Sequence, residues 1–264
     1  MPTVRVAVVG NLSLDLVEGG SPRVGGPPYH AARALAALGV PAMVRVKCAE
    51  ADRSLLLPPL EELGLPIEWL AGETTATYAF SYDGDVRTME VLELGSTWSV
   101  GEVAGLDAEW IHVGALFRGE FAPETLAALA ESAQLSLDGQ GLVRPARRGP
   151  LVLDPEPETP FLRYVSVLKL SEEEALALVG GLDEGALSKL GVAEVLVTLG
   201  SRGSIVAVGR QLFRVPADPV DVDPTGAGDA FAAAYVVERS RGLAPRQAAE
   251  TATQLVHDLL AGAR

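Results

Sequence analysis

The chain has 264 residues, 48% hydrophobic and 21% charged, which supplies ample material for a core and excludes global disorder. Lys and Arg number 21 against 35 Asp and Glu, a formal net charge of −14, so the surface repels nucleic acid and anionic lipid and neither is expected as a partner. One cysteine, Cys48, rules out an internal disulfide, and the chain has neither a leader-like start nor a run of the ~20 apolar residues that cross a bilayer, so the expectation is a cytoplasmic protein.

The β-branched run Val4–Gly10 predicts a short buried strand ending in glycine. Pro28–Leu38 predicts a helix, with Ala31, Ala34, Leu35 and Leu38 at helical spacing and Gly39 as its stop. Ala42–Val46 is a second strand, with Cys48 read as a small buried hydrophobe at its end. Leu55–Leu63 has helical spacing, although Pro58 and Pro59 blur its start. The pattern then changes. Thr77–Tyr82 and Arg87–Glu93 each alternate, and between them Asp83-Gly84 is a hairpin turn signal, so a β flap is expected to project from the sheet.

From Trp110 onward strands and helices alternate. Strands are expected at Trp110–Val113, Leu135–Asp138, Leu151–Asp154, Val165–Leu170, Glu194–Thr198 and Ser204–Val208. Helices are expected at Pro123–Ala133, Glu172–Val179, Ala227–Ser240 and Pro245–Leu260. That order predicts an α/β fold with a mostly parallel sheet and helices on both faces. No fixed-period repeat or low-complexity linker divides the chain, so residues 1–264 read as one domain with a small lid from about 16–24 and 72–96. Residues 16–24 are few for lid strands, which predicts a lid reduced to the Thr77–Glu93 hairpin plus a turn.

Several phosphate-binding and catalytic motifs are absent. The three lysines, Lys47, Lys169 and Lys189, do not follow glycine, which excludes a Walker A loop. The first strand leads into Gly10-Asn11-Leu12-Ser13-Leu14-Asp15, which is not the dinucleotide fingerprint. No G-x-S-x-G elbow occurs, and His30, His112 and His257 are too scattered for a helical zinc site. His112 ends a buried strand and reads as a satisfied core histidine.

Chemistry concentrates in Asp221–Phe231, which opens a small-residue helix. Gly226 and Gly228 allow a tight turn whose N–H groups, at a positive helix end, would hold an anion without a lysine. Asp229 lies in the first helical turn, within reach of a ligand at that end. A group transfer needs both parts, donors for developing charge and a base for the attacking hydroxyl. On these residues alone, a helix cap with glycine spacers stands as an equal alternative.

Asp223-Pro224-Thr225-Gly226-Ala227-Gly228-Asp229-Ala230-Phe231 resembles the signature of the PfkB-type carbohydrate kinases, the ribokinase-like family. Three further segments resemble family motifs, in the family order and across nearly the whole chain. They are Gly25-Gly26 entering the first helix, Leu168–Glu174 like the N-x-x-E segment, and Val197–Gly203 like the T-L-G-x-x-G nucleotide turn. The resemblance implies a three-layer fold with a mostly parallel sheet and a β lid. It implies an ATP-dependent kinase acting on a hydroxyl of a small sugar or sugar-like polyol, with Mg²⁺ as the partner of ATP. Asp229 would be the catalytic base, and Gly226, Ala227 and Gly228 the backbone anion hole. Thr198, Gly200, Gly203 and Thr225 would line the nucleotide. Asp15 would bind substrate hydroxyls, and Gly25 and Gly26 would let the substrate approach the backbone. Asp223 and Thr225 match positions near which some members hold a monovalent cation such as K⁺, and some members dimerise through the lid.

Other positions keep two readings. Ser171 stands where the family has Asn, so Ser171 and Glu174 form either a capping box or, through Glu174 and a water, a contact to Mg²⁺. His30 is either a substrate contact or a packed helix residue. Asp138–Arg144 resembles a D-x-Q-G-x-x-R found in a subset of these kinases, which would bring Gln140 and Arg144 to the substrate; otherwise it is a strand-end turn. Two other functions fit the same motifs: a nucleoside or cyclitol (inositol-like) kinase, and a non-catalytic nucleotide-binding protein.

Overall fold

In the computed structural model, which describes residues 5–83, 86–156, 159–220 and 222–262, the first strand, β1 (Val6–Asn11), is buried on both faces. Val6 and Val8 enter one core cluster while Ala7 and Val9 enter another, because successive strand residues point to opposite sides. A continuous apolar run is therefore what this central strand requires.

The chain leaves β1 through β2 (Ser13–Val17) and β3 (Arg23–Gly25) and returns by the helix Pro27–Leu38 into β4 (Ala42–Ala49). β5 (Ile67–Gly72) follows, then β6 (Ala76–Asp83) and β7 (Val86–Glu93). β8 (Trp110–Gly114), β9 (Gln134–Asp138), β10 (Gly149–Pro150), β11 (Val167–Ser171) and β12 (Glu194–Thr198) come next, and β13 (Ser204–Val208) and β14 (Gln211–Val215) are the last strands. Nine strands form the main sheet in the order β14-β13-β12-β11-β9-β8-β1-β4-β5, parallel except where β13 pairs with β12 and β14. The other five form a second sheet in the order β10-β7-β6-β2-β3.

Helices Pro27–Leu38, Ala227–Ser240 and Pro245–Leu260 cover one face of the main sheet through Leu35, Phe231, Tyr235 and Ala248. Pro123–Ala130 and Glu172–Val179 cover the other through Leu126, Leu129 and Ala175. The small residues Ala232, Ala233 and Ala234 let the Ala227–Ser240 helix lie buried between its neighbours.

The α/β class and most helices match the sequence reading, but several elements differ. The lid is more than a hairpin and a turn: β2 pairs with both β3 and β6, and β10 adds to β7, making five strands. Three- and five-residue strands carry too little alternation to be read alone and form because the hairpin offers them an edge. Residues 151–154 are not a strand; only Gly149–Pro150 pairs, and Pro150 and Pro155 interrupt the donor row needed to continue. Helix Leu55–Leu63 is two short pieces, Arg53–Leu56 and Pro58–Glu61, with Pro58 starting the second. Strands β5 and β14 have no counterpart in the sequence reading. Val4, Gly84 of the expected turn, and Asp221 lie outside the described residues, while β6 and β7 on either side of that turn do pair antiparallel. Among the described residues no helix is long and apolar enough to cross a membrane.

Candidate active site

β4 and β8 flank β1 on opposite sides, so the connections from the sheet's centre diverge there and open a crevice beyond the carboxyl ends of the strands. The lid sheet stands over that crevice. Between them is a cavity of about 170 Å³ lined by residues from both parts. Eight of the residues singled out from sequence meet there: Asp15, Gly26, His30, Gln140, Arg144, Thr225, Gly226 and Asp229.

Asp15 lies on β2, is 4% exposed, and accepts a hydrogen bond from Ser13 Oγ at 2.7 Å. Gly25 does not line the cavity; its role is to make room for Asp15. A β-carbon at position 25 would fall 2.2 Å from Asp15 Oδ2, so any larger residue would displace the carboxylate. Gly26 precedes the first helix at φ +94°, where a β-carbon would lie 2.7 Å from Asn11 O. Gln140 and Arg144 bracket the short helix Gln140–Val143 after β9, so the D-x-Q-G-x-x-R stretch is both a strand-end turn and part of the cavity.

The opposite wall is the turn before the Ala227–Ser240 helix. Asp223 Oδ1 accepts from Thr225 N at 3.0 Å and Thr225 Oγ1 at 2.5 Å, which folds the turn. Gly226 takes φ +79°, and His30 packs against it so closely that a β-carbon there would sit 2.1 Å from the imidazole. Ala230 N donates to Gly226 O at 2.9 Å, so the amide of Gly228 lies ahead of the helical ladder. The expected three-residue anion hole needs one correction: Ala227 N donates to Pro224 O at 3.0 Å and is spent on the turn.

Asp229 is 7% exposed, and its Oδ1 has no hydrogen-bond partner among the described residues. Burial, and next the negative charge of Asp138, push its carboxyl well above the ordinary range. Asp138, on β9, is fully buried beside Asp229. Burial acts to raise its pKa, but the Lys169 ammonium, and after it the neighbouring Asp229 carboxyl, outweigh that and hold it low. Lys169 Nζ is 3.4 Å from Asp138 Oδ2. His112, on β8, shares Nδ1 with Ser136 Oγ at 3.0 Å, and burial lowers its pKa to about 4; it is a buried core histidine as expected, but only half satisfied, since its Nε2 has no hydrogen-bond partner among the described residues.

The other expected positions lie apart from the cavity. Ser171 and Glu174 form the capping box: Glu174 N donates to Ser171 Oγ at 3.2 Å and Ser171 N to Glu174 Oε2 at 2.8 Å. Thr198 ends β12 in register with Ser171 and donates to Leu170 O at 3.3 Å. Gly200 and Gly203 shape the next turn at φ +61° and +91°, where a β-carbon on Gly203 would meet Val215 O at 2.0 Å. Asp223 is half-exposed, its Oδ2 3.6 Å from the lid residue Arg23. Among the described residues no group of three or more His, Cys, Asp or Glu is arranged to hold a metal.

Sequence reasoning missed the lid residues Tyr78, Phe80 and Met89, which close the cavity from above, and the buried Asp138–Lys169 pair below Asp229. Period-two alternation was visible in the lid residues, but not which face would meet the cavity. Lys169 sits in a strand-like apolar run, where a charge was the one available signal.

Residues 8–255 match the model of the pfkB family carbohydrate kinases. The chain belongs to this family. Ribokinase of Bacillus subtilis (strain 168) is 33% identical over 98 residues, and fructoselysine 6-kinase of Shigella flexneri is 38% identical over 90. These stretches are 35% and 34% of this chain, and each spans 33% of the curated relative. Solved structures share the fold over much more of the chain. A pyrophosphate-dependent kinase in the ribokinase family, complexed with a pyrophosphate analog and myo-inositol, superposes with TM-score 0.86 at 24% identity, covering 97% of this PfkB-family chain and 95% of the other. Ribokinase of Arabidopsis thaliana, complexed with ribose and ATP, superposes with TM-score 0.73 at 22% identity, covering 95% and 92%.

Proposed function

We propose that this protein is a small-molecule kinase that transfers the γ-phosphoryl group of ATP to a hydroxyl of a sugar or sugar-like polyol. The observation that carries this reading is the Asp229 carboxyl, buried with one oxygen unpartnered, at a cavity bounded by the Gly226 turn. The acceptor's O–H breaks, its proton passes to Asp229, and the oxygen's electron pair attacks the γ-phosphorus. The bond from that phosphorus to the bridging oxygen breaks, and its electron pair leaves with ADP. The Gly228 N–H, ahead of the helical ladder, would stabilise the charge that builds on the transferring oxygens. When bound, Mg²⁺ supplies charge neutralisation on the donor's phosphates. An elevated carboxyl pKa makes Asp229 a stronger proton acceptor than a free aspartate, provided the pH is high enough to ionise it.

The cavity suits a compact acceptor. Its ~170 Å³ is below the ~300–1,000 Å³ that holds drug-sized ligands. Asp15, Gln140 and Arg144 supply polar contacts for hydroxyls, and Tyr78, Phe80 and Met89 a lid that excludes water. A cyclitol acceptor with pyrophosphate as donor is the second reading, favoured by the inositol- and pyrophosphate-analog-bound structure that shares the fold.

The test is a panel of sugars, nucleosides and cyclitols, each with ATP and Mg²⁺ or with pyrophosphate and Mg²⁺, read as ADP or orthophosphate release. Asp229→Asn is expected to lower kcat by about 10²–10⁴ on the accepted pair. Near-wild-type turnover in that variant would remove Asp229 as base. Nucleotide-dependent thermal stabilisation without product from any pair would point to the non-catalytic reading.

A further inference from the structure

Of three buried carboxylates near the proposed phosphoryl site, Asp229 lines the cavity, while Asp138 and Glu174 lie behind it. Asp138, Glu174 and Asp229 are 0%, 4% and 7% exposed. An anionic phosphoryl group brought to the Gly226–Gly228 turn would meet like charge from Asp138, and from Asp229 once it is ionised, and the protein's net charge of −14 adds to the repulsion. Two cations oppose them. Arg144 lines the cavity on the acceptor side. Lys169, on β11, is 5% exposed and does not line the cavity.

The position of Lys169 is specific. Its Nζ lies 3.4 Å from Asp138 Oδ2, and a β-carbon on Gly228 would fall 2.9 Å from the same Nζ. The ammonium group therefore sits directly beneath the backbone of the phosphoryl turn, and glycine at 228 is what allows the approach. Gly139, next to Asp138, donates its N–H to Lys169 O at 2.8 Å, and Gln140 N donates to Asp138 Oδ1 at 3.2 Å. Lys169's backbone is thus held by the end of the neighbouring strand β9, and Asp138's carboxylate by the turn that follows it. His112, the other titratable group packed here from β8, is buried and paired with Ser136. That leaves Lys169 as the buried cation on the protein side of the turn.

We infer that Lys169 is a positioning residue for the phosphoryl site: anchored by Asp138, its charge lets the ionised Asp229 and an anionic phosphoryl group occupy the same helix end. The inference rests on the proposed kinase reading for its role in turnover, but its charge effect on anion binding does not require turnover. The apparent absence of a phosphate-loop lysine in the sequence is then only a matter of chain order, because the lysine reaches the loop from another strand.

The experiment compares wild type, Lys169→Met, Lys169→Arg and the double variant Lys169→Met with Asp138→Asn. Each is titrated calorimetrically with ADP and with inorganic pyrophosphate, and each is melted. Lys169→Met alone leaves Asp138 buried and unpaired, so it is expected to lose stability as well as affinity. The double variant removes both charges, and its melting temperature is expected to return most of the way to wild type. Affinity for the anionic probes is expected to stay at least about tenfold weaker in the double variant, because the cation under the turn is still missing. Lys169→Arg is expected to recover part of that loss. A double variant that binds both probes as wild type does would overturn the inference and leave Lys169 a partner of Asp138 only. A wild type that binds neither probe would overturn it as well. A wild type that binds them but turns over no acceptor would defeat the kinase reading and leave the inference standing.

Discussion

Replacing Gly226 with alanine tests how the turn is built. Gly226 adopts φ +79° and ψ −2°, and its missing side chain is the space filled by His30. Two costs follow for Gly226→Ala. The left-handed backbone costs about 1 kcal/mol for a residue with a β-carbon. The added methyl would lie 2.1 Å from His30 Cγ and Nδ1, and the imidazole or the turn must move, an overpacking cost of about 1–3 kcal/mol. The sum, about 2–4 kcal/mol, corresponds to a fall in Tm of roughly 5–15 °C for a chain of this size. If the turn moves by even 1 Å, turnover should fall about 100-fold. Gly226→Ala combined with His30→Ala removes the collision but keeps the backbone cost, so it should regain more than half of the lost Tm. Thermal unfolding and steady-state kinetics on the three variants separate the terms. A single variant within about 2 °C of wild type would refute the reasoning, as would a double variant no more stable than the single.

Two predictions concern buried charge. Glu120 is fully buried, accepts from Leu116 N at 2.6 Å and Asn11 N at 3.4 Å, and has its pKa raised by burial from 4.5 to about 8. The folded state therefore takes up a proton that the unfolded chain releases near pH 4.5, so this group's contribution is full below that pH and is lost as pH rises to about 8. Urea unfolding at pH 5 and pH 8 should show a decline in wild type that Glu120→Gln reduces by an amount on the order of a few kcal/mol; equal declines would show that Glu120 is ionised in the fold. Glu194 accepts from Tyr235 Oη at 2.6 Å and is bridged by Arg239 at 2.7 Å. Glu194→Ala strands both partners and should cost about 3 kcal/mol, with a smaller loss when Tyr235→Phe is already present. Additive losses in that cycle would mean the hydroxyl and the carboxylate do not act together.

Much of the site was legible before folding because the chemistry is local in sequence. A tight glycine turn, the helix it opens, and an aspartate in the first helical turn occupy seven consecutive residues, Pro224–Ala230. The same holds for Gly26 ahead of the first helix and for Gln140 and Arg144 four residues apart at a strand end. Other parts depend on distant neighbours. Ser13–Val17 becomes a strand because β6 lies parallel to it, and that pairing carries Asp15 over the cavity. The Ser171–Glu174 pair matched a metal motif and a cap equally well on paper. In the fold both hydrogen bonds of the capping box are made, through Glu174 N and Oε2.

Sequence alone carries the parallel α/β class, through strands buried on both faces, and the place of the glycine turn with an aspartate in the helical turn after it. Both depend on periodicities and backbone preferences that act within a few residues. Only the tertiary structure decided that the lid has five strands, that Ala227 N–H is spent within the turn, and that Lys169 from β11 lies under Gly228. Each of these is a contact between segments far apart in the chain, set by strand order and close packing, to which local preference is blind.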